Sequence, residues 1–381
     1  MRFDNQLRNA SAIIGDYQGN VPLHTWLKEY FRDHPQMGSK DRRITSHMVY
    51  GFYRLGHSVR ELPTGDRILL GLFLCQDTAL PLLDYFRPDW NERTGLPIMD
   101  KIDYLRKAGI DFYPEEIFPW KEELSEGIDH TDYCLSFLQQ PALFLRIRPG
   151  WEEFVLGKNA GEFIPPFTLR LPNGFKVEEF FTPDKEVVVQ DYSSQRLATF
   201  LETPGKKGGT FWDACAASGG KSILAFDLHP GLNITVSDVR ESILHNLHQR
   251  FRQAGIKSYT SFTADLTVKE ETRLTSFDMI LADVPCSGSG TWSRTPEELY
   301  FFNPARIGTY SVLQKKILAN LLSSPRPGTS FVYSTCSVFR RENEEAVAFI
   351  RELGGKDSVQ AGTIPGYGER ADSMFAARFL L

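Results

Sequence analysis

The chain has 381 residues, which is long for one ordinary domain, so two or three domains are expected. Apolar residues at 41% and charged residues at 24% exclude a disordered or membrane-embedded chain, and no apolar run nears the ~18–20 residues that cross a bilayer. A net charge of −5 is not that of a general nucleic-acid binder, but residues 1–60 carry nine Lys/Arg against five Asp/Glu. That local excess suits phosphate contact, and it equally suits a solvated helix surface.

Residues 1–140 read as helical. "PLHTWLKEYFRDH" sets Leu23, Trp26, Leu27 and Tyr30 at helical spacing, and "GSKDRRITSHMVYGFYR" repeats the pattern through Ile44, Met48 and Phe52. "DRILLGLFLC" predicts a buried helix, and "SEGIDHTDYCLSFLQQP" another that stops near Pro141. The texture changes over 141–189. "ALFLRIRPG" predicts a strand whose Arg146 and Arg148 share a face, open to RNA phosphates or to plain solvent. "FTLRLPNGFKVEEFF" predicts a hairpin turning at Asn173-Gly174. From 190 to 381 strands and helices alternate, the pattern of a mostly parallel sheet with helices on both faces. Ligands of such sheets bind beyond the C-terminal strand ends.

Several polar loops fall at those ends. "DACAASGGKS" (213–222) follows a strand and opens a helix. Its small residues and Gly219-Gly220 let the backbone approach a nucleotide-like ligand, although a tight turn needs no more. The glycine spacing fits neither a phosphate-loop NTPase nor a strict dinucleotide fingerprint. Asp238 ends the next strand, 25 residues after Asp213, where a carboxylate can accept bonds from both ribose hydroxyls. Asp265 ends a third strand-like run and can meet an adenine amine. Each aspartate also suits a helix N-cap. His245 and His248 lack a partner carboxylate motif and read as surface histidines. Tyr300, Phe301 and Phe302 suit either a core or a flipped base.

The five cysteines, Cys75, Cys134, Cys215, Cys286 and Cys336, are odd in number and show no Cys-x-x-Cys spacing. Disulfide frameworks and metal sites are therefore not expected. Cys75 and Cys134 lie in apolar helices and read as core. Cys286, in "ADVPCSGSG", and Cys336, in "YSTCSV", each follow a strand on a polar loop. A thiol of ordinary pKa is only about 3% thiolate at pH 7, so a reactive one needs help from its surroundings. Methyl transfer to nitrogen or oxygen needs no thiol. Transfer to carbon 5 of cytosine does, because thiolate addition at carbon 6 makes carbon 5 nucleophilic, and Asp283 is spaced to hold the base edge. This chemistry does not choose between the two thiols.

The set "DACAASGGK", "VSDV", "ADL", "ADVPCSGSG" and "YSTCS…RENEEAV" resembles the RsmB/Sun family of RNA 5-methylcytosine methyltransferases across 190–381. The resemblance implies an α/β, Rossmann-like class I methyltransferase domain over 190–381. It implies a small β-rich RRM/ferredoxin-like element over 141–189 and an all-α, NusB-like RNA-binding domain over 1–140. It implies S-adenosyl-L-methionine as cofactor, held by Cys215, Ala216, Ala217, Ser218, Gly219, Gly220 and Lys221, with Asp238, Asp265 and Asp283. It makes Cys336 the nucleophile and Cys286 the thiol that helps release product. The expected substrate is RNA, 16S ribosomal RNA before transfer RNA, with no membrane or metal partner, a monomeric state and a cytoplasmic location. A DNA cytosine methylase, for which Cys286 alone would be essential, and a non-catalytic RNA-binding assembly factor are the competing classes. Ser218 departs from the family, which usually has proline there.

Overall fold

The computed structural model describes residues 2–202, 208–269, 277–323 and 326–381. Its helices, in chain order, are α1 (Arg2–Asp16), α2 (Leu23–Asp33), α3 (Ser39–Arg54), α4 (Thr64–Cys75), α5 (Pro81–Phe86), α6 (Pro88–Asn91), α7 (Ile98–Lys107), α8 (His130–Ser136), α9 (Glu152–Gly157), α10 (Tyr192–Arg196), α11 (Ala198–Leu201), α12 (Gly220–Leu228), α13 (Glu241–Gln253), α14 (Pro296–Phe301), α15 (Ala305–Leu321) and α16 (Glu344–Glu352). The strands are β1 (Leu143–Ile147), β2 (Glu162–Ile164), β3 (Thr168–Leu171), β4 (Val187–Val189), β5 (Gly209–Asp213), β6 (Leu232–Asp238), β7 (Tyr259–Thr263), β8 (Met279–Asp283), β9 (Ser330–Thr335), β10 (Lys356–Ile364) and β11 (Met374–Leu380).

Two compact units form. The first joins Met1–Glu122, Asp129–Gln140 and Trp292–Asn303 and is helical. Its periodic apolar positions, Leu23, Leu27 and Phe31 on α2 with Met48, Val49 and Phe52 on α3, are buried as amphipathic spacing requires. Helices α3 and α4 touch backbone to backbone, since a Cβ on Gly71 would sit 2.3 Å from the Gly51 carbonyl oxygen. Helix α14 completes this unit. Its Glu297 accepts the Leu23 N–H at 3.1 Å, capping α2 from another segment. Tyr300 and Phe301 pack edge-on against Tyr53 and Tyr17, and Phe302 packs against Trp120 and Trp292. These aromatics are spent on packing.

The second unit joins Glu123–Ile128, Pro141–Thr291 and Pro304–Leu381 and carries two sheets. The smaller is antiparallel, in order β2-β3-β1-β4. The Asn173-Gly174 hairpin does not form. A two-residue hairpin turn of the Asn-Gly kind needs positive φ at both central residues, and only Gly174, at +83°, has it. The run after it is a single 3-10 turn over Val177–Glu179 that buries Val177, while β3 pairs with β1 and β2 instead. Arg146 and Arg148 also depart from both expectations. Neither faces solvent or offers a phosphate contact, for both are buried against Asp227 of α12, at 2.6 and 2.7 Å.

The larger sheet has the order β10-β11-β9-β8-β5-β6-β7, parallel from β5 to β9 with β11 antiparallel beside β9. Strand residues alternate between two cores. Phe211, Ile234 and Leu281 pack with α12 and α13, whereas Trp212, Ile280 and Phe331 pack with α15 and α16. Both faces are therefore dry, as a helix-covered parallel sheet requires. The chain steps outward from β5 to β6 and β7, then returns to β8 on β5's other side. The C-terminal ends of β5 and β8 thus flank the switch point of the sheet.

Candidate active site

Strand β5 delivers Asp213 and the loop after it to the switch point. The loop is pinned by two bonds, Ala216 N–H to the Ser237 carbonyl at 2.8 Å and Ala217 N–H to Asp238 Oδ2 at 3.0 Å. Ala217 takes φ +45° and Gly219 φ +82° to turn the chain into α12. Gly219 must lack a side chain, because a Cβ there would meet Phe251 and Leu247 at 2.8 and 2.9 Å. Asp213 is buried. Its Oδ2 accepts the Ser222 hydroxyl at 2.6 Å, whereas its Oδ1 has no hydrogen-bond partner among the described residues. Burial pushes this carboxyl up to about 7 against the opposing pull of Ser222. Burial also lifts the Cys215 thiol well above its ordinary range. Ser218 accepts Arg250 Nη1 on its hydroxyl at 3.0 Å, and the rest of that guanidinium grips Asp184 at 2.7 and 2.9 Å.

Strands β8 and β9 lie side by side with Asp283 opposite Ser334, so the loops that follow them start in register. Asp283 accepts Lys221 Nζ at 2.6 Å on one oxygen and Ser334 Oγ at 2.7 Å on the other. Burial works against the Lys221 charge, but the Asp283 carboxylate outweighs it and holds the ammonium pKa above its usual value. Just beyond, Cys286 and Cys336 bring their sulfurs to 3.3 Å. The hydrogen bond with Cys336, then burial, lift the Cys286 thiol well above its ordinary range.

The two thiol loops are knitted together. Ser289 and Ser287 meet Ser337 at 3.1 and 3.2 Å, and Gly290 N–H donates to the Cys336 carbonyl at 2.9 Å. Gly290 in turn accepts Ser373 N–H at 2.8 Å, so closely that a Cβ on Gly290 would lie 2.0 Å from the Ser373 carbonyl oxygen.

One cavity of about 320 Å³ joins these parts. Its wall takes Cys215, Ala216, Ala217, Ser218, Gly220 and Lys221 from the first loop, with Asp283 and Cys336 from the second and third. Gly219 is the N-cap behind that wall. Asp238 holds Ala217 rather than lining the cavity, and Cys286 stands behind Cys336. Asp265 lies off the wall and spends one oxygen on Thr267, whose hydroxyl and N–H hold its carboxyl below the usual range. Gln190, Asp191 and Ser194, within the "VQDYSSQ" stretch, also line the cavity, as do Arg250 and Asp372. Nothing local in the sequence marks Arg250 or Asp372 as part of a site. His248 meets the Tyr259 hydroxyl at 2.8 Å, and no group of three or more His, Cys, Asp or Glu that could hold a metal occurs among the described residues. Nor, among them, is any helix long and apolar enough to cross a membrane.

Known proteins share both the fold and the sequence of this region. The solved structure titled PH0851 superposes with a TM-score of 0.66 at 19% identity, covering 97% of each chain. A methyltransferase homologue protein from Pyrococcus horikoshii gives 0.55 at 20% identity, over 73% of this chain and 98% of that one. The strand order, the glycine loop and these superpositions define a Rossmann-like methyltransferase fold. Residues 181–367 match the family described as 16S rRNA methyltransferase RsmB/F. Ribosomal RNA small subunit methyltransferase B of Enterobacter sp. (strain 638) is 30% identical over 203 residues, 51% of this chain and 47% of that protein, and its Salmonella newport counterpart gives the same figures. Through these residues the chain is similar to the RsmB/F methyltransferases. It spans about half the length of the curated relatives it matches.

Proposed function

We propose that the chain methylates carbon 5 of a cytosine in RNA, with small-subunit ribosomal RNA as the substrate and the cytoplasm as its place of action. S-adenosyl-L-methionine supplies the methyl group. The residues present fit that cofactor: Asp213, with its orphaned Oδ1, lines the cavity, and the strand-end carboxylate Asp238, which pins the adjoining loop through Ala217 N–H, is of the kind that holds a ribose. Cys215 to Lys221 form the wall for its methionine part.

The observation that carries the reading is the contact of two thiols, at 3.3 Å, of which Cys336 lines the same cavity as the Lys221–Asp283 pair. Transfer to nitrogen or oxygen would leave both thiols idle. For carbon 5, the Cys336 thiolate adds to carbon 6 of the ring and the displaced π electrons make carbon 5 nucleophilic. Asp283, held by Lys221 and Ser334, meets the N3 and 4-amino edge where charge develops. Once carbon 5 carries the methyl group, its proton passes to a base and Cys286 assists the elimination that follows. The ring double bond re-forms and Cys336 leaves as thiolate. Carbon 6 is out of reach inside a duplex, so the target base is unpaired or flipped from its stack.

The test is a covalent trap. Cys286→Ala protein, incubated with total RNA and S-adenosylmethionine, is expected to accumulate an RNA-bound band on a denaturing gel. Cys336→Ala is expected to give none. Sequencing the trapped RNA names the target and separates ribosomal from transfer RNA. A band that appears only with Cys336→Ala would reverse the two thiol roles, and the absence of a band with either variant would remove the covalent mechanism.

A further inference from the structure

The release step needs Cys286 at a fixed height over the ring, yet the Cys286 loop has no regular secondary structure of its own at that residue. Two side chains from elsewhere hold it. Glu342, in the turn before α16, accepts the N–H of Ser287, the residue after Cys286, on Oε2 at 2.8 Å. Gln314 of α15 donates to the carbonyl of Pro285, the residue before Cys286, at 3.0 Å. The Gln314 amide also faces the same Glu342 oxygen at 3.5 Å, the outer limit of a hydrogen bond. Cys286 thus sits between two backbone bonds that converge on one buried pair.

Glu342 is itself immobilised. It is fully buried, its N–H donates to the Phe339 carbonyl at 3.0 Å, and its carbonyl accepts the Tyr333 hydroxyl at 2.5 Å. Its other carboxyl oxygen, Oε1, has no hydrogen-bond partner among the described residues. Burial pushes the carboxyl up to about 7, against the downward pull of the Ser287 bonds. A buried carboxyl with one orphaned oxygen costs more than an apolar residue of the same size. Packing alone does not account for it.

We infer that Glu342, seconded by Gln314, is the positioning residue of Cys286, and that it serves product release rather than nucleophilic attack. The assignment rests on the covalent reading above. The backbone on both sides of Cys286 is held by this pair, whereas the Cys336 backbone is bonded directly by Gly290, whose N–H donates to the Cys336 carbonyl.

The experiment uses the full chain, total RNA and methyl-labelled S-adenosylmethionine, and reads single-turnover methyl transfer beside the denaturing-gel band. Glu342→Ala is expected to transfer the methyl group within about threefold of the native rate but to accumulate about tenfold more RNA-bound protein. Glu342→Gln, which keeps an acceptor for Ser287 N–H, is expected to restore release to within about threefold of native. A purely structural glutamate would lower transfer and band together, and that result overturns the inference. So does a bandless Glu342→Ala when Cys286→Ala gives a band. If Glu342→Ala fails to fold, Gln314→Ala carries the same expectation, and its failure to raise the band overturns the inference equally. A bandless Cys286→Ala control sinks the covalent reading itself.

Discussion

At the cofactor end of the cavity one continuous stretch, Asp213–Lys221, supplies the longest unbroken part of the wall, and its supports are a few long-range bonds to Ser237, Asp238 and Arg250. The thiol end has no such stretch. It is assembled from the loop after β8, the loop after β9, the turn carrying Glu342, and Gln314 of α15. The turn is further tied by Asn343, which bonds the Thr335 hydroxyl at 2.6 Å and the Ser125 hydroxyl at 2.8 Å. The difference follows from what each end must do. Binding a nucleoside needs backbone N–H groups and a glycine turn, which a strand-loop-helix unit provides locally. Setting two sulfurs 3.3 Å apart needs two chain segments fixed against each other, and only tertiary bonds do that.

The contrast breaks most visibly at Asp227. It lies in the last turn of α12, the helix that starts at the cofactor loop, and it pairs with two buried arginines. Asp227→Ala leaves two uncompensated guanidinium groups in the core and is expected to cost about 3–5 kcal/mol in urea unfolding. The thermal stabilisation conferred by S-adenosylmethionine should shrink with it, while alkylation of Cys336 by iodoacetamide stays near native. Equal damage to both readouts would show that the two ends are one structure. Gly290→Ala is the converse probe. Its Cβ would collide with backbone, the Ser373 carbonyl at 2.0 Å, and lies 3.0 Å from the Cys336 carbonyl. We expect about 1–3 kcal/mol of destabilisation and loss of the RNA-bound band in the Cys286→Ala background, with cofactor-induced stabilisation retained.

The same contrast explains what was legible in the sequence. The glycine loop, the strand-end aspartates and the two thiol loops are local patterns, and the alternation of strand and helix over 190–381 announces the sheet that collects them. The supports of the thiol end are not local. Glu342 and Gln314 stand 56 and 28 residues from Cys286, and no spacing rule links them to it. Arg146 and Arg148 show how the same blindness misleads. Alternate arginines on a strand suggest an exposed basic face until the countercharge, Asp227, is seen some eighty residues on. Helix α14 shows it at the level of domains, because Trp292–Asn303 lies in sequence between methyltransferase elements yet belongs to the helical unit. Asp265 is a subtler case. It follows β7 closely, as expected, but a threonine two residues on takes one of its oxygens.

Asp213 offers a titration that separates the ends. Its carboxyl is raised from an ordinary 3.8 to about 7 by burial, so the folded state holds the proton more tightly than the unfolded chain. The stability from that proton is fully present below about pH 4 and is lost as pH rises through about 7. Asp213→Asn, which keeps an acceptor for the Ser222 hydroxyl, removes the penalty. It is expected to be more stable than the native chain by about 4 kcal/mol at pH 8, with the gain vanishing towards pH 4. Urea midpoints across that range measure it, and a gain independent of pH would refute the assignment to this carboxyl.

The smallest expected effect is at Ser218. If the cofactor loop is held mainly by its own backbone, the Ser218 hydroxyl adds little. Arg250 Nη1 also reaches the Ser218 carbonyl, at 3.2 Å, and its other nitrogens remain on Asp184. Ser218→Ala should therefore cost less than about 1 kcal/mol of stability and lower the affinity for S-adenosylmethionine less than about fivefold by calorimetry. Arg250→Met is the informative contrast, since it cuts the loop from Asp184 as well as from Ser218. A larger loss of affinity in Arg250→Met than in Ser218→Ala would place the support in the guanidinium bridge. Equal losses would place it in the hydroxyl, and the cofactor loop would then depend on a side chain that its own sequence supplies.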